Sequence, residues 1–490
     1  MPRRRGRRLL FRLGFVAIAA AIGGSLLARQ TASPSFETLP DGFEDQVVLE
    51  GLRLPISFAL SPDGRVFVGE QSGRIVVYPR LGTGQGRVVA DLSDEVHAWS
   101  ERGLLDIALH PEFPETPSLY ALYTYDARIG EKAPLWGTPG KPADPCPGLK
   151  PPRRDGCVAS GRLTRLTVAS GRAVDRKVLI EDWCIQFNTH AVGALAFDRS
   201  GALYVSAGDG ADWENTDYGQ LGTPANPCGD PPAGAGRKAD PAVAEGGSLR
   251  AQSPLRPRGQ QTTLDGTVIR VDPETGAALP DNPRADASDA NLRRIVAFGF
   301  KNPFKIALEP SGDALWVGDV GHDAWEEINR VPLGASTQLN FGLPCYEGDD
   351  RQTKYNVDEF QIAETGRCRS LYDLGQDAVE KPYWSYPHYL SFVPGDGCPT
   401  AGGAISGLAF YTGSRYPAEY RDALFFSDFT RSCIWMLPRG SDGQPSPPDK
   451  RRFRWNARTP VALEAGYDGD LFYLDYAGGE LHRIVYRGGS

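Results

Sequence analysis

Histidine is scarce in this chain, with six among 490 residues. One of them, His190, stands directly ahead of a strand–turn–strand pattern in NTHAVGALAFDRSGALYVSAGDG. A neutral imidazole keeps one ring nitrogen available to accept a proton near working pH, so a histidine at the mouth of a sheet suits a general base. The other use of such a residue is to cap a strand by bonding a carbonyl. Two carboxylates recur at matching places, Asp209 in AGDG and Asp319 in VGDV, each after a glycine at a strand end. Pointing inward, such a group holds a calcium ion or a sugar hydroxyl; closing its own turn, it caps backbone N–H groups. His322 follows Asp319 closely enough to share a rim, and Trp213, just past Asp209, offers a face to a planar ring or a sugar, or packs at the surface.

The elements that must position these side chains form one unit repeated six times. Each copy is an apolar strand, a tight turn rich in Pro, Asp or Gly, and a second strand carrying an aromatic residue. The copies are FALSPDGRVFVGE from Phe58, IALHPEFPETPSLYALYT from Ile107, LAFDRSGALYVSAGD from Leu195, IALEPSGDALWVGDV from Ile306, LAFYTGSRYPAEYRDALFFSDFT from Leu408 and ALEAGYDGDLFYLDY from Ala462. Further strands follow, such as GRIVVYP at Gly73, GTVIRVDP at Gly266 and WEEINRV at Trp325. Period-2 alternation between turns implies antiparallel sheet, and six such sheets in one chain are most simply blades around an axis. The expected fold is all-β, a six-bladed β-propeller.

Long Pro- and Gly-rich insertions at residues 129–158, 211–263 and 345–401 interrupt the repeat, and loops of that length are commonly stapled or functional. Six of the eight cysteines fall in or beside them. Pairing of neighbours, Cys146 with Cys157, Cys184 with Cys228, Cys345 with Cys368 and Cys398 with Cys433, brackets one loop with each bond and predicts disulfide-stapled loops. A zinc site is the alternative reading, but no CxxC pair supports it.

Residues 1–33 carry a basic stretch and then an apolar run from Leu13 to Leu27, too short for a comfortable membrane span and suited to an export signal or an N-terminal membrane anchor. Residues 34–490 are then the propeller. An exported chain, periplasmic, extracellular or anchored on the outer face of the membrane, also agrees with paired cysteines. The net charge of −8 becomes −15 without the seven arginines of residues 1–33. So acidic a chain is unsuited to nucleic acid. No GxSxG elbow, HExxH or phosphate-binding glycine loop offers competing chemistry.

The stretches ERGLLDIALHPEF, THAVGALAFDRSGALYVSAGDG, LDGTVIRVDPETGAALPDNP, FGFKNPFKIALEPSGDALWVGDVGHDAWEEINRV and NFGLPCYEG, in this order, resemble the glucose/sorbosone dehydrogenase family over residues 45–486. The resemblance implies a six-bladed propeller holding pyrroloquinoline quinone and Ca²⁺. It implies oxidation of a sugar, an aldose or related polyol, with electrons passed to an external acceptor. His190 matches the family's catalytic base. Glu101 stands where the quinone enzymes have an amide, Lys301 and Asn302 lie in the family's FKNPF turn, and Arg431 matches a contact for a quinone carboxylate. The chain departs from the quinone enzymes twice: Asp212 and Trp213 stand where they carry an arginine, and Gly403 where they carry a lysine. A glycan- or protein-binding propeller without catalysis, and a calcium-dependent lactonase-like hydrolase, are the other two readings.

Overall fold

The computed structural model describes residues 38–488 apart from 83, 139–140, 142–156, 213–218, 220–223, 232–244 and 353–365. Trp213, Cys146 and the expected export segment lie outside the described residues. Among the described residues no helix is long and apolar enough to cross a membrane.

The turn chemistry of the repeat builds the inner hairpin of each blade. In SPDG, DRSG, EPSG and GYDG the chain doubles back, with Ser61 N–H bonding Arg65 O, Asp198 N–H bonding Ala202 O, Glu309 N–H bonding Ala314 O and Gly466 N–H bonding Asp470 O, at 2.9 to 3.0 Å. The closing glycines 64, 201, 312 and 469 sit at φ +82 to +88°, the left-handed region that a side chain disfavours. Those hairpins head four of the six sheets, and longer turns over residues 110–117 and 411–423 head the second and fifth. The six inner strands are Pro55–Leu60, Leu104–Leu109, Val192–Phe197, Pro303–Leu308, Ile405–Phe410 and Pro460–Ala465.

Each inner strand is followed outward by three more, and the third sheet gains a short parallel fifth, Leu339–Asn340. The result is a six-bladed β-propeller. In the last blade the fourth strand comes from the other end of the chain: Phe43–Leu49 pairs antiparallel with Glu480–Tyr486, Phe43 opposite Tyr486. No local signal in FEDQVVL names a partner so distant in sequence. Phe43 then packs edge-on against Tyr416, Tyr420 and Phe453, closing the ring through aromatic contacts.

One irregularity recurs in every blade. The register between the inner strand and its neighbour shifts within the first residues of the inner strand, between Pro55 and Ser57, Leu104 and Asp106, Val192 and Leu195, Pro303 and Lys305, Ile405 and Gly407, and Pro460 and Ala462. A bulge bends the strand and re-aims side chains, and six of them surround the top of the axis. Disulfides join Cys184 to Cys228, Cys345 to Cys368 and Cys398 to Cys433. Cys157 is also disulfide-bonded, and its expected partner Cys146 is outside the described residues.

Candidate active site

The bulged ends of the inner strands enclose a cavity of about 440 Å³. Ile56, Leu105, Phe304, Ile405 and Val461, one from each of five blades, form its apolar wall, with Phe429 and Tyr476 beside them. Glu101 and Asn302 supply polar groups on the same wall. A larger groove of about 800 Å³ runs past Arg256, Arg258 and Arg284 and includes none of the candidate residues, so the axial cavity is the one that bears on chemistry.

His190 lies in the crossover from the outer strand Arg172–Ile185 to the inner strand Val192–Phe197, two residues before the latter begins. Its backbone is left-handed, φ +49°, an uncommon state for a residue with a Cβ and one that clusters at functional sites. Three contacts hold it there. Its N–H donates to Glu101 Oε2 at 2.7 Å. Its carbonyl accepts Gly210 N–H at 3.0 Å, and Gly208 N–H donates to Ala191 O at 2.7 Å. A Cβ on Gly208 would lie 2.4 Å from the His190 carbonyl oxygen, so the AGDG loop approaches this closely only with glycine.

The ring is buried, 2% exposed, and both nitrogens are engaged. Nδ1 is 2.7 Å from Asp209 Oδ1, and Nε2 is 2.8 Å from Lys301 Nζ. A carboxylate only accepts and an ammonium only donates, so the network assigns the neutral tautomer with the proton on Nδ1 and the lone pair on Nε2 facing Lys301. Asp209 also accepts Ala211 N–H at 2.9 Å. Burial works to raise the Asp209 carboxyl, but His190 and Lys301 outweigh it and hold it below the usual carboxylate range. His190 lies in the wall behind Glu101 and Asn302, with Lys301 over its accepting nitrogen.

Asp319 binds a turn. Its carboxylate accepts Asn302 N–H at 2.7 Å and Lys301 N–H at 3.1 Å, fixing the FKNPF segment that carries both residues. Among the described residues the one set of three ligand-type side chains close enough to share a cation is Asp475, Glu480 and His482 in the last blade; neither Asp209 nor Asp319 belongs to it. Arg431 is buried, and its guanidinium donates to the carbonyls of Gly402, Leu390, Pro387 and His388. Of the cations in the long insertion, Arg250 and Arg256 both pair with Asp230, while Arg237 and Lys238 lie outside the described residues.

Several residues that shape the site carried no sequence signal. Arg102, fully buried, donates to the Ile185 and Phe187 carbonyls, and Glu101 N–H bonds Asn188 O, so residues 101–102 grip the segment leading into His190. Burial pulls the Arg102 guanidinium down to about 9. Glu347 Oε1 accepts the N–H groups of residues 322 to 325 at 2.8 to 3.2 Å, ordering the loop that bears His322. Burial first, and the Lys301 charge next, pull the His322 imidazole down. Glu326, fully buried, lies 2.6 Å from His388 Nε2, and this pair fills the space over Gly403. A Cβ there would meet Glu326 Cγ at 2.8 Å. A longer side chain at 403 therefore has no room, which explains the glycine.

The model of the glucose/sorbosone dehydrogenase family matches residues 52–223 and 248–483, and the chain belongs to that family. An aldose sugar dehydrogenase of Escherichia coli is 23% identical over 443 residues, 90% of this chain and 92% of that protein. The HIPL1 protein of Arabidopsis thaliana is 23% identical over 64% of this chain and 45% of its own length. A PQQ-bound aldose sugar dehydrogenase from Streptomyces coelicolor shares the fold, with a TM-score of 0.57 at 14% identity, covering 91% of this chain and 99% of that one.

Proposed function

We propose that the chain is an exported dehydrogenase that oxidises a hydroxyl of a sugar, with His190 as the base. The observation that carries this reading is the Asp209–His190–Lys301 chain directly behind Glu101 and Asn302 in the lining of the axial cavity. Oxidation of an alcohol removes a proton from oxygen and a hydride from carbon. His190 Nε2 is the proton acceptor, and the Asp209 carboxylate at Nδ1 stabilises the imidazolium that results. Lys301 must leave Nε2 as the substrate hydroxyl arrives, and its ammonium then lies beside the developing negative oxygen. Asn302 and Glu101 present an amide and a carboxylate that orient the remaining hydroxyls.

The hydride needs an acceptor, and the PQQ-bound relative supports pyrroloquinoline quinone; Ca²⁺ as a companion ion is part of the same proposal and rests on the family resemblance alone. The cavity suits a planar quinone in volume and apolar walls. It does not suit it in charge. The quinone carries three carboxylates, whereas Glu101 is the one charged residue among the described lining and Arg431 is committed to backbone carbonyls. No three-ligand calcium set is present at the cavity among the described residues. The disulfides support export to an oxidising compartment.

The charge mismatch and the likeness to HIPL1 favour one second reading, a propeller of the same family that binds a glycan or protein without oxidising it. Titrating the purified chain with quinone and Ca²⁺, then following dye reduction with a panel of aldoses, separates the two. Saturable, sugar-dependent reduction is expected. Absence of quinone binding at micromolar levels overturns the quinone assignment and leaves the binding reading.

A further inference from the structure

We propose that Glu101 makes the axial cavity selective for a positively charged sugar, so that its ligand class is the amino sugars. This rests on the sugar-oxidising reading above and narrows it. The Glu101 carboxylate is the one charged group in the described lining, and it is fixed rather than floppy, because Oε2 accepts the His190 N–H at 2.7 Å. Oε1 has no hydrogen-bond partner among the described residues. Around it stand Ile56, Leu105 and Ile405, with the rings of Phe304, Phe429 and Tyr476.

Glu101 is exposed to solvent at the mouth of this wall, so it attracts an ammonium and repels an anion as a surface charge does, most strongly at low salt. Aromatic faces add attraction for a cation and stack on the C–H face of a pyranose. Lys301 does not line the cavity; it is 4% exposed and stays on His190 Nε2 until a substrate hydroxyl displaces it, so Glu101 is the charge that an arriving sugar meets first. A hexosamine presents an ammonium adjacent to hydroxyls on one small ring, so the charge can meet Glu101 while a neighbouring hydroxyl approaches His190. A uronic acid of the same size brings a carboxylate to a carboxylate.

The test is calorimetric titration of the full chain at low salt with glucosamine, N-acetylglucosamine and glucuronate, alongside dye reduction by parallel samples supplied with quinone and Ca²⁺. Glucosamine should bind about three- to fivefold more tightly than its uncharged acetylated form, the difference expected of one exposed ion pair at low salt, and glucuronate should bind most weakly. Glu101→Gln keeps an oxygen for the His190 N–H and should bring the affinity for glucosamine to within about twofold of that for N-acetylglucosamine, whatever it does to the two affinities in common. Glu101→Asp, which keeps the charge, should retain part of the preference. Equal binding of the three sugars, binding of none, or a preference that survives Glu101→Gln overturns the proposal. Glucosamine binding without any dye reduction overturns the oxidising reading and leaves the charge selectivity standing.

Discussion

Asp209 Oδ1 lies 2.7 Å from His190 Nδ1, and this pair is what converts a buried imidazole into a base of defined tautomer. Because the carboxylate accepts the Nδ1 proton, the lone pair is on Nε2, the nitrogen nearest Lys301. Asp209→Asn keeps the shape but presents an amide that can donate to Nδ1 and so favour the wrong tautomer. Activity should fall by on the order of 10²–10⁴-fold in kcat with little change in Tm. A loss confined to KM would show that Asp209 acts on binding and not on the base.

Gly208 tests the packing that holds His190 in its left-handed conformation. Gly208→Ala places a methyl 2.4 Å from the His190 carbonyl oxygen and 2.9 Å from its Cβ, and backbone cannot yield as a flexible side chain would. The expected cost is roughly 1–3 kcal/mol of stability, with a larger proportional loss of activity, read by thermal melts and initial rates. Gly201→Ala is a control at an exposed turn where a Cβ meets nothing within 4 Å, although its φ of +85° still carries strain.

Asp319 and Glu327 face each other across paired strands, and both are buried. Burial raises both carboxyls, and the charge of Asp319 pushes Glu327 further, toward about 8. An acid raised in the folded state keeps its proton over a range in which the unfolded chain has released it. The stability it contributes therefore falls as pH rises from the ordinary carboxylate range toward 8. Glu327→Gln removes that dependence; Gln keeps an acceptor for Gly348 N–H, and Asn329 can turn its amide to meet the new NH₂. The variant should melt a few degrees higher than wild type at pH 8 and nearly level with it at pH 5. An unchanged pH slope would contradict the assignment.

The blades were legible because their signal is local. A glycine three residues after the turn opens, as in SPDG or EPSG, fixes a left-handed residue, and the strands on either side alternate with period two. His190, Asp209 and the FKNPF turn were legible as separate motifs, but not as one network, since Lys301 Nζ reaches His190 Nε2 across 111 residues. The same holds for Arg102 on Phe187, and for Glu326 and His388 over Gly403. These are contacts between neighbouring blades, and periodicity within one strand does not encode them. Phe43–Leu49 closes the ring for the same reason unannounced.

His190 itself is the direct test. With quinone, Ca²⁺ and a sugar that wild type oxidises, His190→Ala should retain the wild-type melting curve within a few degrees and reduce dye at least about 10²-fold more slowly. Dye reduction at the wild-type rate by a folded His190→Ala protein would contradict the assignment of the base and, with it, the proposed mechanism.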